Sequence, residues 1–108
     1  VIEARDVTLA VLNYNGRELL EVIMPSIAAQ TAQGFRVHVL DNASTDDSLA
    51  YLAEHWPEVR VFPSAENLGV TRNMARAIST CETPYVSILN NDIELDGRWL
   101  EELMAELD

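Results

Sequence analysis

Four short apolar runs alternate with longer stretches of helical periodicity along this chain. Val7 to Leu12 is apolar with almost no polar interruption, and Tyr85 to Leu89 is largely so. Phe35 to Leu40 and Val59 to Phe62 alternate instead, with Arg36, His38 and Arg60 interleaved. Continuous runs suit strands covered by helices on both faces, and alternating runs suit strands nearer an edge. One helical stretch separates each run from the next, as in parallel βαβ units. The pattern predicts an α/β fold: a Rossmann-like parallel sheet with helices on both faces, in a single domain over residues 1–108. Right-handed crossovers favour the strand order 3-2-1-4. Tyr85 to Leu89 then lies at an edge although it is apolar like a central strand, which predicts self-association through an exposed sheet edge.

The helices have readable faces. Leu19, Leu20, Ile23 and Ile27 mark the first, which Pro25 should kink or restart. Ser44 and Asp47 form a capping-box-like start for the second, which then carries Leu49, Leu52, Ala53 and Trp56 up to Pro57. Val70, Met74, Ala77, Ile78 and Cys81 make the stripe of the third. Asp96 is placed to cap the fourth, with Trp99, Leu100, Leu103 and Leu107 on its apolar side.

Ligands of open α/β sheets bind beyond the carboxyl ends of the strands. Here those ends run into Asn13-Tyr14-Asn15-Gly16, Asp41-Asn42 with Ser44, Ser64 to Gly69 with Glu66 and Asn67, and Asn90-Asn91-Asp92. Turn chemistry accounts for one or two such clusters; four along one edge point to a polar ligand. Asp41 can accept a hydrogen bond from a base or ribose, or else cap the second helix. Tyr14 offers a face for stacking, or else packs in the core. Asp92 is a hard oxygen ligand suited to Mg²⁺ or Mn²⁺, or else an ordinary turn aspartate. The fingerprint GxGxxG is missing, which argues against a dinucleotide cofactor.

Composition narrows the classes further. The chain has 108 residues, with 18 acids against 7 bases and a net charge of −11. That charge argues against a nucleic-acid partner held by phosphate neutralisation. Every base is arginine, so a Walker A loop, a Schiff-base lysine and the lysine of a receiver domain are all excluded. The single Cys81 excludes an internal disulfide and a cysteine-based zinc cluster, and its place on the third stripe reads as a core thiol. His38 and His55 have no second ligand nearby in sequence and read as structural. Asn42-Ala43-Ser44 matches a glycosylation acceptor, but no secretory signal accompanies it. A cytoplasmic location is expected. The chain starts at Val1, which reads as an excerpt from something longer.

Four motifs together resemble one family. Val11-Leu12-Asn13-Tyr14-Asn15-Gly16, Val39-Leu40-Asp41-Asn42-Ala43-Ser44-Thr45-Asp46, Glu66-Asn67-Leu68-Gly69-Val70 and Leu89-Asn90-Asn91-Asp92 occur in the order found in family 2 glycosyltransferases. The chain resembles the amino-terminal, nucleotide-sugar-binding half of such an inverting enzyme, with a truncated GT-A domain. The Asn-Asn-Asp variant is most similar to the rhamnosyltransferase-like branch.

The resemblance implies roles for matching residues. Asn13, Tyr14, Asn15, Asp41, Asn67, Gly69, Arg72 and Asn90 would bind the nucleotide, with Tyr14 holding the base and Asp41 bonded to a uracil or thymine ring. Asp92 would hold the divalent metal that bridges the diphosphate. Two departures stand out: Asn90 replaces the first carboxylate of the DxD motif, leaving Glu94 as a second acid, and Ala75 stands where the family has asparagine. The implied donor is a UDP, dTDP or GDP sugar. The full-length protein would transfer it to a glycan or lipid acceptor in cell-wall or polysaccharide synthesis, at the inner membrane face. An acidic, lysine-free domain must offset a diphosphate with a divalent ion, helix amino termini and Arg72. The catalytic base is expected outside this chain, so no catalytic residue is assigned and the 108 residues alone should be inactive. A sugar nucleotidyltransferase and a non-catalytic nucleotide-binding or signalling module remain as alternatives.

Overall fold

A computed structural model describes residues 1–108. Its elements alternate as the pattern predicts: β1 (Val7–Asn13), α1 (Arg17–Ala28), β2 (Arg36–Asp41), α2 (Ser48–His55), β3 (Arg60–Pro63), α3 (Gly69–Thr80), β4 (Tyr85–Asn90) and α4 (Trp99–Leu107). The four strands form one parallel sheet in the order β3-β2-β1-β4. Each strand runs about one residue further at its carboxyl end than the apolar run suggests, because Asn13, Asp41 and Asn90 stay in the ladder.

The two faces of the sheet are covered unequally. Val7, Leu9 and Val11 of β1 and Val39 of β2 pack with Leu20, Ile23, Met24 and Ile27 of α1, Leu52 of α2 and Leu100 of α4. Burying each of these large side chains contributes about 1.5–3 kcal/mol. The other face carries a smaller cluster of Ala10, Leu40 and Ala77, and α3 alone covers it. No helix is long and apolar enough to cross a membrane.

Several local expectations are corrected. α1 continues through Pro25 without restarting, since a proline in the last turn forfeits only one late hydrogen bond. Leu19 and Leu49 are exposed, so the inward faces of α1 and α2 are narrower than their apolar content. Ser44 does not cap α2: the helix starts at Ser48, whose N–H donates to Asp46 Oδ1 at 3.0 Å. Asp96 does not cap α4 either: the cap position is Arg98, whose N–H donates to Asp96 Oδ1 at 2.9 Å in the turn before the helix. The stripe expected to bury α3 is turned outward: Val70, Met74 and Ile78 are 67%, 41% and 60% exposed. The inward face is Asn73 and Ala77, small enough to let the helix lie close to Ala10 and Leu40. Cys81 follows α3 and is half-buried; burial alone would raise its thiol, but hydrogen bonds from Thr83 and Thr8 outweigh it and lower it.

Candidate functional site

The carboxyl ends of β1, β2 and β4 and the first turns of α3 enclose a cleft of about 180 Å³. Leu12, Asn13, Tyr14, Asn42, Val70, Asn73, Asn90 and Asn91 line it. No charged side chain is among them, so the lining combines one aromatic face with five carboxamides. A larger cavity of about 460 Å³ lies beside Phe35, Trp56 and Val59, at the amino ends of β2 and β3, and is mostly apolar. The polar strand ends therefore mark the smaller cleft.

The loops at this edge are held by buried side chains. Asn13 is 2% exposed and Asp41 is fully buried. Asn13 Nδ2 donates to Asp41 Oδ1 at 3.0 Å, and Ser44 donates to the same carboxylate from its hydroxyl at 2.7 Å and its backbone N–H at 3.0 Å. Asp41 does not line the cleft; its carboxylate fixes the loop after β2. Expected as a base contact, Asp41 is wholly buried here, and the residue that lines the cleft is Asn42, just past the end of β2.

Asn42 joins two loops. Its Nδ2 donates to Asn67 Oδ1 at 2.8 Å, and its Oδ1 accepts Leu68 N–H at 2.7 Å. Asn67 also accepts Gly69 N–H at 2.9 Å, closing the turn into α3, where Gly69 adopts φ +78°. Asn67 and Gly69 thus shape the loop from outside the cleft lining. With Asn42 only 7% exposed and doubly bonded, its match to a glycosylation acceptor has no structural counterpart.

The remaining expected residues divide by exposure. Tyr14 is 51% exposed, which sets aside a core role. Asn15 turns away from the cleft: at φ +47° its Oδ1 accepts Thr45 N–H at 2.7 Å and Asp46 N–H at 3.2 Å. Burial tends to raise the Asp46 carboxyl, but hydrogen bonds from Ser48 and the Arg17 N–H outweigh it and hold it below the usual carboxylate range. Arg72 is exposed on α3, next to the cleft-lining Asn73, and makes no hydrogen bond or ion pair. Arg76 is committed, donating to Asn73 Oδ1 and to the carbonyls of Phe62 and Pro63. Asn42 and Asn91 are cleft residues to which the sequence reading gave no individual role, and Asn73 lines the cleft from the start of α3. Their signal was position, at a strand end or one turn into the helix after it.

The donor set for a divalent ion is small. Asp92 is exposed beside the cleft-lining Asn90, and neither side chain has a hydrogen-bond partner. No group of three or more histidine, cysteine, aspartate or glutamate side chains is gathered anywhere. One carboxylate with neutral oxygens fits a hard ion that takes its other ligands from water and phosphate, and does not fit an all-protein cage.

An uncharacterized glycosyltransferase of Mycobacterium bovis is 33% identical over 88 residues, covering 82% of this chain and 39% of that protein. Chondroitin synthase of Escherichia coli is 32% identical over 103 residues, 93% of this chain and 15% of the enzyme. Among solved structures, TarS 1-349 of S. aureus in complex with UDP superimposes with a TM-score of 0.86 at 22% identity, covering 95% of this chain and 32% of that one. The mannosyltransferase PcManGT of Pyrobaculum calidifontis, in complex with GDP-Man and Mn²⁺, gives 0.73 at 25% identity over 91% and 32%. The chain thus spans well under half the length of each. The family model described as glycosyl transferase family 2 matches residues 8–108. With its 3-2-1-4 parallel sheet and its polar carboxyl edge, the chain belongs to glycosyl transferase family 2.

Proposed function

We propose that this chain is the donor-binding half of an inverting glycosyltransferase, which takes a sugar nucleoside diphosphate in the carboxyl-edge cleft. The observation that carries this is the neutral, asparagine-lined cleft with Tyr14 exposed at its edge and α3 starting beside it. Tyr14 stacks on the base, an arrangement worth about 0.5–1.5 kcal/mol for aromatic pairs. Asn42 has spent one N–H and one lone pair on the loops, so one of each remains for a pyrimidine edge. Asp41 acts through Asn13 and Ser44 by holding that loop. The diphosphate lies toward the N-terminus of α3, whose dipole favours anions, with Arg72 the one uncommitted cation on that helix.

Asp92, with Asn90 as a neutral partner, would hold a Mg²⁺ or Mn²⁺ ion. When bound, that ion supplies positive charge to the departing diphosphate. The general base and the acceptor site belong to residues outside these 108, and the acceptor is a hydroxyl of a glycan or lipid. The chain alone therefore binds donor without transferring sugar. UDP and GDP-Man in the similar structures, and Mn²⁺ in one of them, support a nucleotide donor and a divalent ion. The match to chondroitin synthase supports a glycan acceptor. The exposed α3 stripe and the open edge of β4 favour self-association of the 108 residues.

Calorimetric titration of UDP, GDP and dTDP, each with Mn²⁺ and with chelator, tests this reading. Binding of at least one nucleotide that weakens on chelation is expected; no binding by any of the three contradicts it.

A further inference from the structure

We propose that Asn13 is a positioning residue that latches the Asp92 loop to the loop carrying Asn42; this rests on the donor-site reading above. The carboxamide of Asn13 faces two ways. Its Nδ2 donates to Asp41 Oδ1 at 3.0 Å, and its Oδ1 accepts Asn91 Nδ2 at 2.8 Å. Three strand ends, those of β1, β2 and β4, are thereby joined through one buried group. The chain after Asn91 is caught again where Leu95 N–H donates to Ser26 Oγ at 3.1 Å. Asp92, Ile93 and Glu94 are thus held between two fixed points, so the place of the Asp92 carboxylate depends on the Asn13–Asn91 bond.

An independent feature shows how closely this latch is built. Gly16 has φ −110°, an angle open to any residue. A side chain is excluded there by space: a Cβ would overlap Asn91 Nδ2 and stand 2.6 Å from Asn13 Oδ1. Gly16 is glycine because the latch occupies the position of its Cβ. Outer groups that orient a metal ligand typically govern metal affinity by about 10–100-fold. Asn13 and Asn91 do so here without supplying a charged ligand.

Two measurements on the whole chain test the proposal. The first is a ligand-free double-mutant cycle in thermal denaturation. Gly16→Ala should lower the midpoint by about 5–10 °C in the wild type, and by clearly less beside Asn91→Ala, which removes the nearer obstruction. Strictly additive losses would overturn the latch. The second is the ratio of UDP, GDP and dTDP affinities with Mn²⁺ to those with chelator. For a nucleotide that binds the wild type, Asn91→Ala should reduce that ratio about tenfold, whereas a purely structural role would lower both affinities alike. An unchanged ratio would overturn the positioning role even if the cycle shows coupling. A wild-type chain that binds none of the three nucleotides overturns the donor-site reading, and the positioning role with it, while the cycle still reports on the latch.

Discussion

Ala43 carries φ +60°, a left-handed angle that an alanine adopts at a cost of about 1–2 kcal/mol. It lies between Asn42 and Ser44, so the loop accepts strain while both neighbours keep their bonds. Ala43→Gly should therefore stabilise the domain by about 0.5–1 kcal/mol, after the extra chain entropy of glycine is offset; urea denaturation measures it. Asp41 and Asp92 should behave oppositely on truncation. Asp41→Ala leaves buried donors of Asn13 and Ser44 unpaired and should cost about 2–4 kcal/mol. Asp92→Ala, at an exposed and unpartnered carboxylate, should change stability by less than about 0.5 kcal/mol. His38 gives a pH signature. It is 1% exposed, with both ring nitrogens unpartnered, and burial with nearby Arg60 pushes its pKa below the ordinary value. The unfolded chain then binds the proton first as pH falls below about 6.5, so this group's contribution is intact above that pH and is lost below it. Melting midpoints of wild type and His38→Leu should diverge between pH 7 and pH 5 in the variant's favour. Charge is conspicuous in a sequence and hydrogen-bond saturation is not, which is why Asp41 reads as a ligand contact. Its three partners come from Asn13 and Ser44, and the first is 28 residues away.

The elements themselves were legible because each obeys its own period. Apolar runs became strands, and right-handed crossovers between them leave few orders, of which β3-β2-β1-β4 is the one observed. Leu9 and Val39, both fully buried, should each cost about 2–4 kcal/mol when cut to alanine. The face of α3 was not legible. Periodicity shows which residues share a side of a helix but not what covers that side, and here the small pair Ala77 and Asn73 goes inward. Val70, Met74 and Ile78 are left in solvent beside a strand edge with open backbone groups. Sedimentation velocity should show association that rises with concentration and falls for Met74→Glu with Ile78→Glu; a clean monomer at high concentration would contradict this. The candidate site was legible as an edge, from four polar strand ends. Its internal wiring was not, because it depends on which way each carboxamide turns.

On the scale of the molecule, charge decides how a nucleotide diphosphate can be held. Of seven arginines, Arg5, Arg17, Arg60 and Arg98 are paired with acids, and Arg76 is taken up by carbonyls and Asn73. Arg36 and Arg72 are left unpaired, and of these Arg36 lies by the apolar cavity at the other end of the sheet, so Arg72 on α3 is the one beside the cleft, in a chain at −11. On the proposed donor-site reading, a divalent ion at Asp92 and the N-terminus of α3 would supply most of the offsetting charge. The most direct test is a nuclear magnetic resonance titration of the labelled chain with UDP, run first with Mg²⁺ and then with Mn²⁺. The account predicts Mg²⁺-dependent shifts at Tyr14, Asn42 and Asn73, and paramagnetic broadening centred on Asn90 to Ile93 when Mn²⁺ replaces Mg²⁺. Shifts centred on Phe35 and Trp56 at the other end of the sheet, or broadening that spares Asp92, would contradict it.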